Sequence, residues 1–409
     1  MIDAPPVPHP TQPLAGIRVL DLTQIYNGPY ATFLMAMAGA DVVKIEPPGG
    51  ELLRRRDKES GAGVPFAMLN ANKRSLTLNL KTVRGKALLL DLARRADVMI
   101  ENYAPGVMER LGLGYDAVCA TNPRIIYASG SGYGRSGPYR EYPAMDLTVQ
   151  AMSGVMSITG FTQNPPVKSG AALCDFSGGV HLYGAIATAL FQRERTGRGS
   201  RIEVAMLEAV YPFLASSIGM TYSARRDIPL RTGNRHGGLS LCPYNVYPAK
   251  DGHVAIICTG DRHWLSLLDA MGRADLKSDA TMATMTARVR RMEAIDAMVA
   301  DWTRGFARDV LFRRLAAHRV PAAPVRELQE VMADPHMRER GMLLEIDHPT
   351  LGRITVCRSP IRYDGTPPPD YRASPECGGD ADAVLRGWLG LEADAIAELR
   401  KARALGEQP

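Results

Sequence analysis

The chain contains 409 residues, of which 45% are hydrophobic and 22% are charged, and it carries a formal net charge of +6. This composition is typical of a soluble globular protein that is long enough for two packed domains. The basic residues are scattered along the chain, which disfavours a nucleic-acid partner, and no apolar run is long enough to predict a membrane span.

The N-terminus and the cysteines indicate the compartment. Residues 1–13, MIDAPPVPHPTQP, lack the basic and apolar regions of a signal peptide, and we predict a short disordered arm there. The six cysteines lie far apart without CxxC spacing, and no two histidines have the spacing of metal ligands on a helix. We therefore expect a cytoplasmic protein without a disulfide framework, a bound metal or a membrane partner.

Strand-like and helix-like segments alternate from Ile17 onward. We predict strands in GIRVLDLTQ, DVVKIEPP, RSLTLNL, DVMIENY and RIIYAS, and helices in PYATFLMAMAGA, RGKALLLDLARRA and GVMERLGL. This alternation predicts an α/β fold whose mostly parallel sheet is covered on both faces, the N-terminal part of a large domain over residues 14–210. Ligands of such sheets bind at the carboxyl ends of the strands.

The pattern changes after Tyr211. Two strands with a turn at AKDG are predicted in CPYNVYPAKDGHVAIICT, followed by helices in DRHWLSLLDAMG, RMEAIDAMVADWTRGF and DVLFRRLAAHRV. We predict a smaller α+β domain with linkers over residues 211–330. Residues 331–409 are predicted to return to the large domain through an antiparallel hairpin and a terminal helix.

A glycine-rich segment, GSGYGRSG, follows the strand RIIYAS. It matches the dinucleotide-binding spacing GxGxxG only loosely, and the PYREYP that follows cannot open a helix at once. We interpret this segment as a mobile loop at a strand end.

A single acid, Asp175, stands in the otherwise apolar stretch SGAALCDFSGGVHLYGAIATAL. Carboxylates are rarely buried without a partner or a task, so Asp175 is the first candidate for chemistry. The simpler local interpretation is an N-cap of the helix that follows. The two roles are compatible, because the N–H groups of a helix N-terminus can also stabilise a developing anion.

Five motifs in order resemble the family III CoA-transferases, the group that includes formyl-CoA:oxalate, carnitine and bile-acid-inducible CoA-transferases. They are PLAGIRVLDLTQIYNGPYATFLMAMAGADVVKIEPPGG, NANKRSLTLNLKT, DVMIENYAPGVMERLGLGY, GYGRSGPYREYPAMDLTVQAMSG and LCDFSGG, and the resemblance runs from Leu14 to about Leu405. It implies a large domain with a Rossmann-like sheet, a smaller α+β domain and an interlocked homodimer. It also implies acyl-CoA and carboxylic acid substrates and no permanently bound cofactor.

The resemblance assigns the nucleophile to Asp175. In that chemistry the carboxylate attacks the donor thioester, and CoA moves to the acceptor acid through aspartyl-anhydride and aspartyl-CoA intermediates. The energy of the thioester is preserved, so neither ATP nor a metal is required.

The CoA contacts follow from the same resemblance. It places the cofactor or reacting centre at Tyr26 and Asn27, the nucleotide along Leu78 to Lys81, the adenine beside Asn102, Tyr103 and Ala104, and a phosphate at Arg110. The formyl-CoA branch has Gln where Tyr26 stands and Arg where Pro47 stands. One phosphate contact is therefore expected to be lost, or to move to Arg54, Arg55 or Arg56.

The same fold is compatible with two functions other than CoA transfer. Racemases of 2-methylacyl-CoA carry a His before the acid that is Asp146 here, whereas this chain has Met145 there. A racemase would lack its base, which favours transfer. Asp146 is expected either at the active site or as an N-cap of the segment TVQAMSG. A non-catalytic CoA-binding protein is the second alternative, and the intact Asp175 disfavours it.

The segment RTGNRHGGLSLCPY stands where the formyl-CoA branch has a run of glycines that covers the active site. Its predicted lid and substrate residues are Gly233, Arg235, His236, Gly237 and Gly238. Arg235 suits a carboxylate of the acceptor. The changes at Tyr26 and in this loop argue against oxalate, and a C4–C5 dicarboxylate is the expected acceptor.

Overall fold

The computed structural model describes residues 12–56, 59, 61–222 and 228–406. The predicted disordered arm lies outside the described residues, except for residues 12 and 13. The chain divides into two compact units. The first unit comprises Met1–Val149, Ala172–Val210 and Asp334–Pro409, and the second comprises Gln150–Ala171 and Tyr211–Ala333.

A six-stranded sheet forms the centre of the first unit. Its strands are β1 (Arg18–Asp21), β2 (Asp41–Glu46), β3 (Arg74–Thr77), β4 (Val98–Glu101), β5 (Ile126–Ser131) and β6 (Ser200–Ala205). All neighbours pair in parallel in the order β3-β2-β1-β4-β5-β6. The prediction of a parallel α/β sheet is confirmed. β6 was not predicted from the sequence, although its polar and apolar residues alternate as in a half-buried strand at the edge of the sheet.

The helices of the N-terminal half belong to the first unit, except for residues 150–152 and Val155–Ile158, which belong to the second. They are α1 (Asn27–Met37), α2 (Leu52–Arg55), α3 (Gly63–Leu69), α4 (Val83–Ala93), α5 (Val107–Arg110), α6 (Tyr115–Thr121), α7 (Asp146–Met152), α8 (Val155–Ile158), α9 (Leu173–Thr196) and α10 (Met206–Val210). α6 was not predicted from the sequence.

The second unit contains an antiparallel sheet of three strands, β7 (Tyr244–Ala249), β8 (Gly252–Ile257) and β9 (Ala322–Pro324). Its helices are α11 (Ala215–Thr221), α12 (Asp261–Met271), α13 (Met285–Arg290), α14 (Met292–Thr303), α15 (Arg308–Ala317) and α16 (Leu328–Met332), with short 3-10 turns at Tyr211–Leu214 and Ala274–Leu276. Trp264, Leu268 and Leu311 lie in its apolar core.

The C-terminal segment of the first unit begins with α17 (Pro335–Glu339) and the hairpin of β10 (Leu343–His348) and β11 (Gly352–Cys357). The predicted terminal helix is two helices, α18 (Ala381–Leu389) and α19 (Ala393–Lys401). Gly390 separates them with a φ of 67°, a conformation that ends a helix at little cost only for glycine. None of the described helices is both long and apolar enough to cross a bilayer.

The parallel sheet is buried on both faces. Successive side chains of a strand point to opposite faces, so each strand needs apolar residues at consecutive positions. Val19 of β1 packs in one core with residues of α1 and α9, including Ala31 and Leu182. Its neighbour Leu20 packs in the other core with residues of α4 and α18, including Leu89 and Trp388. The near-continuous apolar runs that predicted these strands follow from this double burial.

A buried ion pair fixes the connection between β1 and α1. Asp21 ends β1, and Lys73 Nζ donates to its Oδ2 at 2.9 Å, to Thr32 Oγ1 at 2.8 Å and to Asn70 Oδ1 at 2.8 Å. Both charged side chains are fully buried. Burial would raise the pKa of Asp21, but the charges of Lys73 and Lys44 hold that pKa well below its ordinary value.

We predict that Lys73→Met destabilises the first unit strongly, because it leaves the Asp21 carboxylate buried without its counter-ion. The apparent free energy of unfolding in urea should fall by about 3–5 kcal/mol at pH 7, and adding Asp21→Asn should restore part of it. The control is Arg94→Met, which removes the exposed ion pair of Arg94 and Asp91. An equal loss in both single variants would contradict the role of the buried pair.

Candidate active site

A cavity of about 350 Å³ opens in the first unit at the carboxyl ends of β1, β4 and β5. Gln24, Asn102 and Gly130 line it, and each lies at or just after the end of one of these strands. The chain builds β2 and β3 on one side of β1 and then crosses to β4 on the other side. Parallel sheets form ligand crevices at such a change of direction. The cavity is therefore the candidate active site.

Asp175 lines this cavity and is 9% exposed. α9 begins at Leu173, and its N-cap position is Ala172, without a side-chain hydrogen bond. Asp175 thus lies inside the first turn, so the N-cap interpretation is wrong. Asp175 is part of the cavity wall and does not cap the helix.

Asp146 caps the N-terminus of α9, which is the role that the sequence suggested for Asp175. Its Oδ1 accepts hydrogen bonds from the backbone N–H of Cys174 at 2.8 Å and of Asp175 at 3.1 Å. These two N–H groups are therefore not available to a developing anion, contrary to the expectation for this helix end. Asp146 also opens α7, so it joins two helices at the cavity.

The pKa of Asp175 is raised to about 7, first by burial and second by the charge of Asp146. Burial removes the water that would stabilise the carboxylate, and a second carboxylate nearby disfavours ionisation further. A carboxylate in this environment is poorly solvated and more nucleophilic than an exposed one. Both features meet the needs of covalent chemistry near neutral pH.

Two glycines bring α9 close to α1. A Cβ added at Gly178 would lie 2.2 Å from Asn27 Nδ2, and one at Gly179 would lie 2.5 Å from the Asn27 carbonyl oxygen. No side chain fits at either position. The two glycines of LCDFSGG therefore hold Asp175 beside the first turn of α1, which carries Asn27.

The sequence-predicted residues at the start of α1 lie near Asp175. Asn27 lines the cavity, is 4% exposed, and donates from Nδ2 to the Asp175 carbonyl oxygen at 3.3 Å. Tyr26 stacks on Phe176, with ring centroids 5.8 Å apart, and does not line the cavity. Tyr26 thus contacts the residue after Asp175.

Asn102, Tyr103 and Ala104 line the cavity as a group after β4. The amide of Asn102 is used by the chain itself: its Oδ1 accepts from Gln24 N at 2.9 Å, and its Nδ2 donates to Gln24 O at 2.9 Å. Its side chain fixes the segment after β1, and these two bonds use one of the two N–H groups of the amide. Burial, followed by the charge of Glu101, raises the pKa of Tyr103 to about 12.

The remaining predicted CoA residues do not line the cavity. Leu78 is 1% exposed and packs in the core, so a contact to the nucleotide would have to come from its backbone. Lys81 and Arg110 are exposed. Because CoA is a long molecule, its nucleotide end can contact residues outside the cavity, such as Lys81 and Arg110.

The proposed replacements for the position of Pro47 differ in what they contact. Arg54 forms an ion pair with Glu46 at 2.8 Å, donates to the Pro375 carbonyl and lies over the Phe66 ring at 4.0 Å. Its guanidinium is therefore committed within the chain. Arg55 and Arg56 are exposed and are better placed for a phosphate.

Several cavity residues were missed or understated from the sequence. They are the strand-end glycines and the aromatic and thioether side chains of the walls: Gly130, Gly132, Tyr133, Tyr142, Met145 and Met206. The glycine-rich segment GSGYGRSG could have indicated them: it was interpreted as a mobile loop, but its residues form part of the cavity wall. A Cβ at Gly132 would lie 2.0 Å from the Ala144 Cβ, so the wall requires this glycine.

The predicted lid residues lie in the second unit, where their side chains have partners. Arg235 forms ion pairs with Asp296 at 2.8 Å and Glu293 at 2.6 Å. His236 Nδ1 accepts from the Gly238 N–H at 3.2 Å, and its ring meets Tyr244 edge-on. Gly233 has a φ of 64°, and Gly237 and Gly238 follow in the same loop. A substrate carboxylate would have to compete with two acids for Arg235.

The comparisons with known proteins agree on one family. Residues 14–381 match the model of CoA-transferase family III. A formyl-CoA:oxalate CoA-transferase of Streptomyces coelicolor is 36% identical over 95% of this chain and 98% of its own. A succinyl-CoA:mesaconate CoA-transferase of Haloarcula marismortui is 39% identical over 88% of this chain and 92% of its own.

The structural comparison leads to the same group. A CAIB/BAIF family protein from Brucella suis superposes with a TM-score of 0.81 at 33% identity, covering 92% of this chain and 99% of that protein. The sequence resemblance to this family is therefore confirmed. The chain belongs to CoA-transferase family III and is a CoA-transferase.

Proposed function

We propose that the protein moves CoA from an acyl-CoA thioester to a free carboxylic acid through covalent intermediates on Asp175. The observation that carries this proposal is the buried carboxylate of Asp175 in the cavity, with its pKa raised to about 7. A group with that pKa is ionised in a useful fraction at neutral pH and is still poorly solvated.

The first half of the proposed reaction loads CoA onto the protein. The Asp175 carboxylate attacks the thioester carbonyl, the CoA thiolate leaves, and a mixed anhydride forms between Asp175 and the donor acid. The thiolate then attacks the aspartyl carbonyl of this anhydride. The donor leaves as a free carboxylate, and Asp175 is held as an aspartyl-CoA thioester.

The second half transfers CoA to the acceptor. The acceptor carboxylate attacks the aspartyl-CoA carbonyl, the thiolate leaves again, and a second anhydride forms. The thiolate attacks the acceptor carbonyl, which releases the new acyl-CoA and restores the Asp175 carboxylate. Water must stay out of the site, because it would hydrolyse each intermediate.

The acceptor is proposed to be a C4–C5 dicarboxylate. Support comes from the relatives, which are named for oxalate and mesaconate, both dicarboxylic acids. Tyr26 and the loop from Gly233 to Gly238 differ from the formyl-CoA branch, which argues for an acceptor larger than oxalate.

The racemase alternative is disfavoured by Met145. This residue lines the cavity where those relatives have a His, and a thioether carries no proton to exchange at an α-carbon. The predicted nucleotide path along Leu78–Lys81 and Arg110, and a cytoplasmic location, remain proposals.

The interlocked homodimer is also a proposal. It rests on the family resemblance and on apolar side chains of the long helix α9 that the single chain leaves exposed, Val180 at 49% and Phe191 at 60%. Exposed apolar groups of this size on one helix favour a protein partner. A monomer mass in equilibrium sedimentation would contradict it.

We predict that Asp175→Ala abolishes CoA exchange while CoA still binds. Losing the covalent nucleophile removes the intermediate itself, so kcat should fall by about three orders of magnitude or more. Exchange is measured with radiolabelled acceptor, and binding is measured by calorimetry. The control is Glu194→Ala, which removes an exposed acid of the same helix. Residual exchange above a few per cent would exclude Asp175 as the nucleophile.

The pH dependence should report Asp175 as well. Because the carboxylate is the reactive form, kcat/KM for acyl-CoA should fall as the pH drops below about 7. Asp146→Asn keeps an oxygen for the two backbone N–H groups but removes the charge. The midpoint should therefore move to lower pH. A midpoint that stays in place, or rises, would show that Asp146 does not set the pKa of Asp175.

A panel of acceptors tests the substrate class, and Arg235→Ala tests its determinant. Succinate and mesaconate should be better acceptors from succinyl-CoA or acetyl-CoA than oxalate or monocarboxylates of the same size. Because Arg235 is paired with Asp296 and Glu293, its loss should lower Tm and affect all acceptors alike. A KM increase confined to dicarboxylates would instead make Arg235 the residue that reads the distal carboxylate.

A further inference from the structure

Ile25 has a backbone conformation that its own side chain disfavours. Its φ is 65°, in the left-handed region. Among the described residues other than glycine that have a positive φ, it is the only one whose side chain is branched at Cβ. Such a side chain collides with the backbone in this conformation, so the conformation is rare and costly. Residues strained in this way persist only where their surroundings hold them, and they concentrate at functional sites.

Ile25 belongs to the turn between β1 and α1 and lines the cavity of the candidate active site. Gln24, the residue before it, and Leu52, the first residue of α2, line the same cavity. The side chain of Ile25 also packs against the apolar cluster of Leu53 and Phe66. The turn and α2 therefore meet at Ile25, and the shape of the cavity wall at this point depends on its left-handed backbone.

The carboxylate of Glu51 joins these two segments. Glu51 is 2% exposed, and its Oε2 accepts a hydrogen bond from the Ile25 N–H at 3.2 Å. Its Oε1 accepts from the Leu53 N–H at 3.2 Å, which is the N-cap bond of α2. Each oxygen thus serves one segment. Glu51 does not line the cavity, so any effect on the site must pass through the residues that it holds.

Glu51 is in turn anchored to the central sheet. Its backbone N–H donates to Oε2 of Glu46, the last residue of β2, at 3.1 Å. Glu46 is 1% exposed and is held by Arg54 at 2.8 Å and by the Ser75 hydroxyl at 2.7 Å. The position of the Glu51 carboxylate is therefore set by buried groups of the sheet and not by the turn that it bonds.

The residues before Ile25 are held by other side chains. Lys44 Nζ donates to the Thr23 carbonyl oxygen at 2.9 Å, and the Asn102 amide bonds both backbone groups of Gln24. The bond from Glu51 is the one that acts on the strained residue. Its loss would release Ile25 while the start of the turn stays in place.

We propose that Glu51 is a positioning residue of the active site, which holds Ile25 in its left-handed conformation. The bond thereby fixes the cavity wall that Gln24, Ile25 and Leu52 form. The inference rests on this cavity being the active site and does not depend on the covalent steps at Asp175. Without the bond the turn would relax in part of the molecules, and substrate would bind only to the rest. KM would then rise by the inverse of the competent fraction, with kcat nearly unchanged.

A rescue experiment tests this role. Glu51→Asp keeps the charge and the N-cap of α2, but it is one methylene group too short to bond Ile25 as well. The KM for acyl-CoA should rise by about tenfold. Adding Ile25→Gly should return KM to within about threefold of the wild-type value, because glycine adopts a positive φ without strain. The control is Arg319→Gly, which relieves a φ of 57° at an exposed residue of the second unit and should leave KM raised.

Amide hydrogen exchange of the peptide that contains Ile25, measured without substrate, gives a second readout. Exchange should be faster in Glu51→Asp than in the wild-type protein, whatever the fate of the covalent mechanism at Asp175. A raised KM that Ile25→Gly does not lower, or that Arg319→Gly lowers equally, would overturn the proposal, as would an unchanged KM or a loss confined to kcat. If Glu51→Asp does not fold, Glu51→Gln, which keeps one acceptor oxygen, is subjected to the same rescue.

Discussion

The close approach of α1 and α9 is the contact on which the site depends. It exists because residues 178 and 179 are both glycine, and a Cβ at either would collide with Asn27. The gap that they leave holds the Asn27 amide, which in turn bonds to the main chain of Asp175. Asp175, the first turn of α1 and the strand end at Gly130 are thereby fixed to one another. The buried pair of Asp21 and Lys73 secures the other end of this arrangement, where β1 turns into α1.

The placement of Asp175 costs stability, and the sign follows from its pKa. The folded value, about 7, lies above the ordinary 3.8, so the folded protein holds this proton more tightly than the unfolded chain. Folding is therefore favoured by protonated Asp175 at low pH, and this contribution is lost as the pH rises from about 4 to about 7. The loss is at most about 4 kcal/mol, from 1.36 kcal/mol per pKa unit. A well-packed sheet with two apolar cores offsets it elsewhere in the unit.

The sequence predicts those features that a single residue or a short pattern determines. Apolar runs indicate the parallel strands, because burial on both faces requires them. The lone acid of LCDFSGG indicates that Asp175 is a candidate catalytic residue, because a carboxylate is rarely buried among apolar residues without a partner or a function. The hydrogen bonds of Asp146 to the N–H groups of Cys174 and Asp175 join residues nearly thirty positions apart, and local patterns carry no trace of them. The same is true of the acids that pair with Arg235, which lie on α14 far along the chain. The role of Asn102 also depends on a tertiary contact, since its amide bonds to the segment after β1.

In the proposed reaction, Asp175 carries CoA covalently between the two acids. Intact-protein mass spectrometry of the wild-type enzyme mixed with acyl-CoA alone tests it most directly. We expect a species that is heavier by CoA minus water, that maps to the peptide containing Asp175, and that is lost when a carboxylic acid acceptor is added. Rapid exchange between acyl-CoA and acid without any such species, together with a ternary-complex pattern in initial rates, would contradict it.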